Sequence, residues 1–182
     1  MTWIGTENIC MVVGNLNRFS VRQMTRAAVF AALIAACSWI SLPIGDIAFT
    51  MQTFAIFLAL DLLGGKWGCG AIFLYLILGA AGLPVFSSFQ GGLGVLLGAS
   101  GGFLWGFLLG GLTFLALERF GRIPALLSCQ AVCYICGCLW FLQYTGGGLT
   151  FVLLRCVVPF LVPDGLKLYL AWVLGRRLRR FL

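Results

Sequence analysis

Two oppositely charged residues lie inside an apolar segment near the C-terminus. Asp164 and Lys167 are three residues apart in the stretch PFLVPDGLKLYLAWVLGRRLRR, so a helix would present both side chains on one face. Lys167 precedes Arg176 by nine residues, which places it roughly 14 Å from the basic cluster, about halfway through a ~30 Å hydrocarbon core. An ionisable side chain at that depth costs at least ~2.5–3.5 kcal/mol unless it faces a partner or a wet cavity. The pair therefore predicts a substrate site.

The chemistry that this pair offers is the binding of an anionic group. A cavity that receives a carboxylate needs a fixed ammonium, and we expect Lys167 to supply it while Asp164 orients Lys167 or bonds a polar atom of the ligand. The alternative is a structural pair in which Asp164 only neutralises Lys167, although two apolar residues would pack a lipid-facing helix at least as well. Arg155, in the same segment, is expected at the outer interface or at the mouth of the cavity.

The composition of the chain indicates what kind of structure holds this pair. Of 182 residues, 62% are hydrophobic and 9% are charged, whereas soluble domains carry about 25% charged residues. The chain is therefore expected to be a multi-pass protein of the cell (plasma) membrane, with room for one helical bundle in the lipid bilayer. Its net charge of +7 is scattered between apolar runs without an aromatic and basic platform, so no nucleic acid is expected as a partner.

The sequence also lacks the residue sets on which common enzymes depend. It contains no histidine, no nucleophile paired with a base, and a GGK at 64–66 that misses the spacing of a phosphate-binding loop. Cys129, Cys133 and Cys136 share one helix face, but without histidine or a nearby acid they are interpreted as small apolar packing residues. We expect no enzymatic activity, no cofactor and no bound metal.

Hydropathy divides the chain into six segments long enough to cross a bilayer, which predicts an all-α integral membrane protein with six transmembrane helices. The predicted spans lie near residues 24–42, 48–63, 68–83, 101–118, 124–142 and 151–175. Residues 1–23 are predicted to be a short cytoplasmic N-terminal tail, and residues 24–182 a single transmembrane substrate-binding domain. Pro159 and Pro163 interrupt the sixth span, so its regular part is predicted to begin around Asp164.

Positive charges concentrate on one side of this predicted topology. Ten of the twelve Lys and Arg residues fall on one side: in the N-terminal tail and the adjoining start of the first span, the loop between spans two and three, the loop between spans four and five, and the C-terminus. The opposite loops, 43–47, 84–100 and 143–150, contain none. By the positive-inside rule, both the N- and C-termini are expected in the cytoplasm.

The connection at 84–100 is long, apolar and rich in glycine. Exposed loops are normally polar, so we expect this segment to fold back into the bundle and line a cavity, with a flexible turn as the alternative. The TMQT segment, residues 50–53, would bring hydroxyl and amide groups near the same cavity. Tyr134 is predicted nearer the middle of the membrane, where its hydroxyl needs a partner.

Small residues repeat every four positions along the first predicted helix. One row consists of Ala27, Ala31 and Ala35, with Ala28, Ala32 and Ala36 beside it. Such rows let helices approach closely in lipid, where packing drives association. From the spacing alone, the row fits a contact with another protein or close packing within the same bundle.

Three stretches of the chain carry a resemblance to a known family. They are ALIAACSWISLPIGDIAFTMQT, GLPVFSSFQGGLGVLLGASGGFLWGF and PFLVPDGLK. In this order they resemble the BioY family, the biotin-binding S components of energy-coupling factor (ECF) transporters, from about Ala27 to the end of the sixth helix. Asp61 departs from the family pattern, because that end of the second helix is commonly apolar or small.

This resemblance implies an S-component bundle that captures biotin from the outer side for ATP-driven uptake. It implies a partner ECF module of a transmembrane coupling protein and two cytoplasmic ATPase subunits, with Ala27, Ala31 and Ala35 facing the coupling protein. It also implies that Lys167 holds the valerate carboxylate of biotin. The other implied site residues are Gln52, Ser87, Ser88, Gln90 and Tyr134 at the ureido ring, and Phe86 and Trp140 over the bicycle.

Two other functions compete with the capture of biotin. An S component for another small carboxylate vitamin would satisfy Lys167 equally well, because any carboxylate pairs with an ammonium. A membrane enzyme would require a catalytic constellation, and the sequence offers none.

Overall fold

The computed structural model describes residues 21–44 and 47–180, so the first twenty residues of the predicted N-terminal tail lie outside the described residues. In chain order the elements are α1 (Val21–Trp39), β1 (Ser41–Ile44), β2 (Ile47–Thr50), α2 (Gln52–Ala80), α3 (Leu93–Leu97), α4 (Gly101–Leu117), α5 (Arg122–Thr145), α6 (Leu149–Cys156) and α7 (Val158–Leu178). Single turns of 3-10 helix lie at Ser87–Phe89 and Glu118–Phe120.

Most of the described chain is helical, as the hydropathy predicted. Among the described residues, four helical segments are long and apolar enough to cross a membrane: Gln52–Ala80, Gly101–Phe120, Arg122–Thr145 and Leu149–Leu178. The nineteen-residue α1 packs along α2 and contributes Ala31 and Ile34 to the main core. The predicted helical membrane protein is therefore confirmed in its main features.

The chain reverses within α2, which contains most of the two predicted spans 48–63 and 68–83. Gly64 has φ 76° and ψ 169°, outside the helical region, and a side chain there would be strained. A Cβ added at Gly68 would come within 2.9 Å of the Leu60 Cα, whereas residues eight apart in a straight helix are separated by ~12 Å. Residues 52–63 and 65–80 therefore fold back against each other.

A β-hairpin is the main departure from the predicted all-α fold. The ends of the first two predicted spans included residues 41–42 and 48–50, but these residues pair in antiparallel strands, from Ser41 opposite Thr50 to Ile44 opposite Ile47. Pro43 disfavours continuation of α1, because proline lacks the N–H that a helix interior requires. In sequence, a Gly-Asp dipeptide separates the strands, and this dipeptide favours a two-residue hairpin turn.

The last helix also begins earlier than predicted. The break in the sixth segment falls at Val157, with φ −120°, and α7 runs from Val158 straight through Pro163. Pro159 lies in the first turn, where an N–H would have no intrahelical acceptor. The prediction that the regular helix begins around Asp164 was therefore wrong by six residues.

The contact between α4 and α5 is built on small residues. Glycines of α4 face cysteines of α5, since a Cβ at Gly106 would lie 3.0 Å from the Cys133 Cα, and one at Gly110 would lie 2.7 Å from the Cys129 carbonyl oxygen. Cys129 and Cys133 are buried in the main hydrophobic core. The interpretation of these cysteines as packing residues is confirmed.

A cluster around Asp61 joins the ends of three helices. The Asp61 side chain is fully buried, and Arg179 Nη2 donates to both of its carboxylate oxygens, at 3.1 and 2.9 Å. Arg122 Nη1 lies 3.4 Å from Oδ1 and also donates to the Asp61 carbonyl. Gly175 faces the carboxylate so closely that it leaves no space for a Cβ. The Asp61 cluster therefore ties α2 to α5 and α7.

Candidate substrate-binding site

The predicted charged pair forms a buried ion pair on α7. Lys167 Nζ lies 2.8 Å from Asp164 Oδ1, and the two residues are only 4% and 5% exposed. The three-residue spacing places both side chains on one helix face, as predicted. Neither side chain faces lipid, which removes the largest cost of placing charge at this depth.

The β-hairpin and the start of α2 hold the Lys167 ammonium in place. Lys167 Nζ donates to the Thr50 carbonyl at 2.6 Å and to Thr53 Oγ1 at 3.2 Å, in addition to Asp164. It also lies 3.8 Å from the centre of the Phe49 ring, within range of a cation–π interaction. Each of the three ammonium protons therefore has an acceptor, and the hairpin that departs from the predicted fold supplies part of the site.

The Asp164 carboxylate is fixed from the opposite side by α5. Gln130 Nε2 donates to Oδ2 at 3.1 Å and the Tyr134 hydroxyl donates to the same oxygen at 2.9 Å. The Thr53 hydroxyl donates to Oδ1 at 3.3 Å. The expectation that the Tyr134 hydroxyl needs a partner is confirmed. Because α2, α5 and α7 all contribute, the pair is a junction of three helices.

A cavity of about 670 Å³, part of it open to solvent, adjoins this junction. Its polar side includes the ion pair and the neighbouring hydroxyl and amide groups. Its apolar walls are largely aromatic and come from α4, α7 and the 84–100 connection, namely Phe86, Phe103, Phe107 and Phe160. A cavity of this size with a few convergent polar groups is typical of a site for a small molecule.

Two buried amide atoms beside the ion pair have no hydrogen-bond partner among the described residues. They are Gln52 Nε2, a donor, and Gln130 Oε1, an acceptor, and both residues line the cavity. A buried polar atom without a partner costs about 1–3 kcal/mol. A bound molecule with its own acceptor and donor would recover that free energy, so these atoms indicate where a polar ligand group fits.

The 84–100 connection folds onto the bundle and lines the cavity, as predicted. Phe86 is 1% exposed, packs edge-on against Tyr75 and lies over Gly79, where a side chain would collide with its ring. The end of α1 fastens the connection, because Ser38 Oγ donates to the Val85 carbonyl at 2.5 Å and Trp39 Nε1 donates to the Pro84 carbonyl at 2.8 Å.

The predicted site residues divide into two groups. The structure brings together six of them at the cavity, which are Lys167, Asp164, Gln52, Phe86, Ser87 and Tyr134. Ser88 and Gln90 are exposed on the outer surface of the connection. The Trp140 indole N–H donates to the Gly98 carbonyl at 2.9 Å and supports the connection from α5. Contacts of these last three residues with a ligand stay predictions.

Several cavity residues were not singled out from the sequence. Gln130 is the most informative, because it lies four residues before Tyr134 in an apolar helix and shares its face. An amide inside a membrane helix needs a partner, and that signal was available in the sequence. Phe103, Phe107 and Phe160 gave no such signal, since aromatic residues occur throughout the chain.

The alanine row of α1 faces the chain itself. Ala27, Ala31 and Ala35 are 7%, 1% and 7% exposed, and the last two belong to the main core. The neighbouring Ala28, Ala32 and Ala36 are exposed. Of the two interpretations that the spacing allowed, packing within the bundle therefore applies to the first row.

The comparisons with known proteins agree with one another. A model of the BioY family matches residues 12–182. The chain is 37% identical to the biotin transporter BioY of Thermotoga maritima, over 88% of this chain and 97% of that protein. It is 33% identical to biotin transporter BioY2 of Lactococcus lactis subsp. cremoris, over 88% of this chain and 91% of that protein.

A solved structure has the same fold. It is the crystal structure of the S-component for biotin from an ECF-type ABC transporter, which is 28% identical in sequence. The two structures superpose with a TM-score of 0.82 over 90% of this chain and 94% of that one.

Proposed function

The chain belongs to the BioY family, and from this premise we propose that it is the biotin-binding S subunit of an ECF transporter. It is a multi-pass protein of the plasma membrane and a transporter subunit rather than an enzyme. The observation that carries the proposal is the cavity, in which a buried ion pair and two amide atoms without partners adjoin aromatic walls.

The cavity offers a complement to each part of biotin. Biotin has a ureido head with a carbonyl and two N–H groups, an apolar bicycle and a carboxylate tail. The Gln52 donor and the Gln130 acceptor suit the ureido group, with Ser87 and Tyr134 near them on the cavity wall. The aromatic walls suit the bicycle. Contacts of biotin with Ser88, Gln90 and Trp140 stay predictions, because none of these three residues lines the cavity.

Lys167 is proposed to hold the biotin carboxylate. Its three ammonium protons already have acceptors, so a carboxylate oxygen must replace one of them. Thr53 Oγ1 is the most distant of the three, at 3.2 Å, and a charge-assisted bond to a carboxylate is roughly twice as strong as a bond to a neutral hydroxyl. Thr53 is therefore the contact that we expect to be exchanged.

Equilibrium binding to the purified protein tests the function. We expect biotin to bind and an excess of other small carboxylate vitamins to leave that binding unchanged. Binding of a different carboxylate vitamin with no binding of biotin would reject the proposal and favour the second candidate, an S component for that vitamin. The carboxylate-binding role of Lys167 is tested separately, by the variant Lys167→Met.

The proposal includes six transmembrane segments with both termini in the cytoplasm. They are α1, residues 52–63, residues 65–80, α4, α5, and α6 together with α7, where the reversal at Gly64 supplies the extra crossing. Single cysteines placed at the exposed residues Gln143 and Arg119 in a cysteine-free background test it with a maleimide that cannot cross the membrane. We expect labelling of intact cells at position 143 only, and labelling at 119 would refute the orientation.

We further propose that the chain works with an ECF module of one transmembrane coupling protein and two cytoplasmic ATPases. The sequence has no nucleotide-binding motif of its own, so the energy for import must come from a partner. Ala27, Ala31 and Ala35 are buried in the bundle, so the exposed Ala28, Ala32 and Ala36 are the part of α1 that offers small residues to the coupling protein.

Co-purification with the module tests this interface. Ala32→Leu places a bulky side chain on the exposed row of α1, whereas Ala116→Leu makes the same change at an exposed position on α4. We expect only the α1 variant to lose the module while both still bind biotin. Equal retention of the module by both variants would exclude this face of α1 as the contact with the coupling protein.

A further inference from the structure

We propose that the end of α7 binds the phosphate group of an anionic phospholipid. The site is a basic groove of about 600 Å³ of empty space, open to solvent, and its lining residues are Trp172, Val173, Arg176, Arg177 and Arg180. No acidic residue of the described part of the chain lines it. The site is separate from the cavity and does not depend on which vitamin the chain carries.

The arginines at the end of α7 have different roles. Arg179 turns into the bundle and is bound by the Asp61 carboxylate. Arg176, Arg177 and Arg180 are exposed, and no carboxylate within residues 21–44 and 47–180 forms an ion pair with them. The groove therefore carries three positive charges that the described part of the protein does not neutralise.

An aromatic ring holds one of these charges in place. The Arg176 guanidinium lies 4.8 Å from the centre of the Trp172 ring, in the geometry of a cation–π contact. Trp172 and Arg176 are four residues apart, so they lie on one side of α7. Arg180 follows in the turn just beyond the end of α7 at Leu178 and lines the same groove. Guanidinium groups bind phosphate oxygens in pairs of parallel hydrogen bonds, which makes this arrangement suited to a phosphate group.

The position of the groove favours a lipid over a soluble phosphate. The apolar span Leu149–Leu178 ends here, so the arginines lie where a bilayer passes from acyl chains to head groups. The same helix exposes Tyr169, Leu170 and Leu174 on the turns that lead up to the groove. A lipid with its phosphate in the groove could lay its acyl chains along these side chains, whereas a free phosphate would contact the arginines alone.

Native mass spectrometry tests the proposal. The full chain is mixed with defined lipids in detergent and then released from the detergent in the spectrometer. Phosphatidylglycerol and phosphatidylcholine are offered at equal concentrations, and the number of lipids retained is counted. Arg176→Gln is compared with Arg119→Gln, because Arg119 is also an exposed arginine stacked on a ring, at 4.6 Å from the Phe120 centroid, but does not line this groove. A thermal melt of each variant checks that it is folded.

We expect selective retention of phosphatidylglycerol that falls about fivefold in Arg176→Gln and about a hundredfold when all three groove arginines are replaced, following the usual contribution of a basic side chain near an anionic surface. Arg119→Gln should retain phosphatidylglycerol normally. Equal retention of the two lipids, or equal losses in the two single variants, would overturn the proposal. So would displacement of the lipid by inorganic phosphate at the same concentration, which would identify a simple anion site.

A protein partner is the other class of ligand for such a surface. If the triple variant kept phosphatidylglycerol but no longer co-purified with the ECF module, the groove would be a protein contact and the lipid proposal would be wrong.

Discussion

Asp164 and Asp61 are both buried carboxylates bound by basic side chains, yet their surroundings differ. Asp164 and Lys167 adjoin a cavity of about 670 Å³ and two amide atoms without partners. Asp61 is enclosed by Arg122, Arg179 and Gly175, and it does not line that cavity. Its arginines are 40% and 30% exposed, so their charges are only partly buried.

This difference limits what a buried charge by itself can indicate. A charged residue inside a membrane segment is expected to be functional, and that rule selects both carboxylates equally. Open space and unsatisfied polar atoms distinguish them, because a ligand needs room and gains free energy only where hydrogen bonds are still to be made. On these grounds, the Asp164 site is suited to binding and the Asp61 cluster to holding three helices together.

The largest expected effect comes from replacing Lys167. Lys167→Met should lower the affinity for biotin at least a hundredfold, because it removes the cation proposed to hold the carboxylate. It also leaves Asp164 buried without its charged partner, which should destabilise the protein by about 3–5 kcal/mol. Isothermal titration of the purified variant measures the loss. The double variant Asp164→Asn, Lys167→Met removes both charges, so it should recover thermal stability without recovering binding.

A ligand without a carboxylate sharpens this test. If Lys167 holds the carboxylate, biotinol should bind the wild type as weakly as biotin binds Lys167→Met. Biotinol should then bind Lys167→Met with almost the same affinity, because the lost interaction is the same in both cases. Independent, additive losses would show that Lys167 acts on another part of the molecule.

The matched change in the other cluster should affect stability rather than binding. Arg179→Met removes the closest cation from Asp61, as Lys167→Met does for Asp164, and should lower the free energy of unfolding by about 2 kcal/mol. A thermal melt in detergent would show a lower Tm, while the biotin Kd stays within about twofold. A large loss of affinity in the folded variant would remove the functional distinction between the two carboxylates.

The smallest expected effect comes from replacing Gln52, and it distinguishes a ligand-binding side chain from a structural one. Gln52→Leu should weaken biotin binding about fivefold, the contribution of one ordinary hydrogen bond. Without ligand, the variant should be as stable as the wild type or more stable, because the substitution removes a buried donor that has no partner. A destabilised variant with unchanged affinity would place Gln52 in the framework rather than in the site.

The sequence predicted much of the site because depth in a membrane can be counted along a helix. The number of residues between Lys167 and Arg176 was enough to place a charge far inside the bilayer, and the apolar 84–100 connection was correctly predicted to line a cavity. Gln130 could also have been predicted from the sequence, since it is a polar residue on the helix face that carries Tyr134. Ser88, Gln90 and Trp140 came from family resemblance, and their contacts with a ligand are still to be measured.

Other features depend on contacts between segments that are far apart in the chain. Hydropathy cannot distinguish the strands Ser41–Ile44 and Ile47–Thr50 from helix ends, because a short apolar run fits either structure. The partners of Asp61 lie 61 and 118 residues away, so no local pattern reveals that its charge is neutralised. The alanine spacing likewise fits a buried or an exposed face equally.

The sequence alone therefore determined that the chain crosses a membrane and which connections lack positive charge, and it predicted how deep Lys167 lies, since these depend on the composition and spacing of single segments. Only the tertiary structure decided that the β-hairpin and α5 hold the Lys167–Asp164 pair beside a cavity, and that Arg122 and Arg179 enclose Asp61. The physical reason is that a charge inside lipid requires a partner, and the fold decides whether that partner leaves space for a ligand.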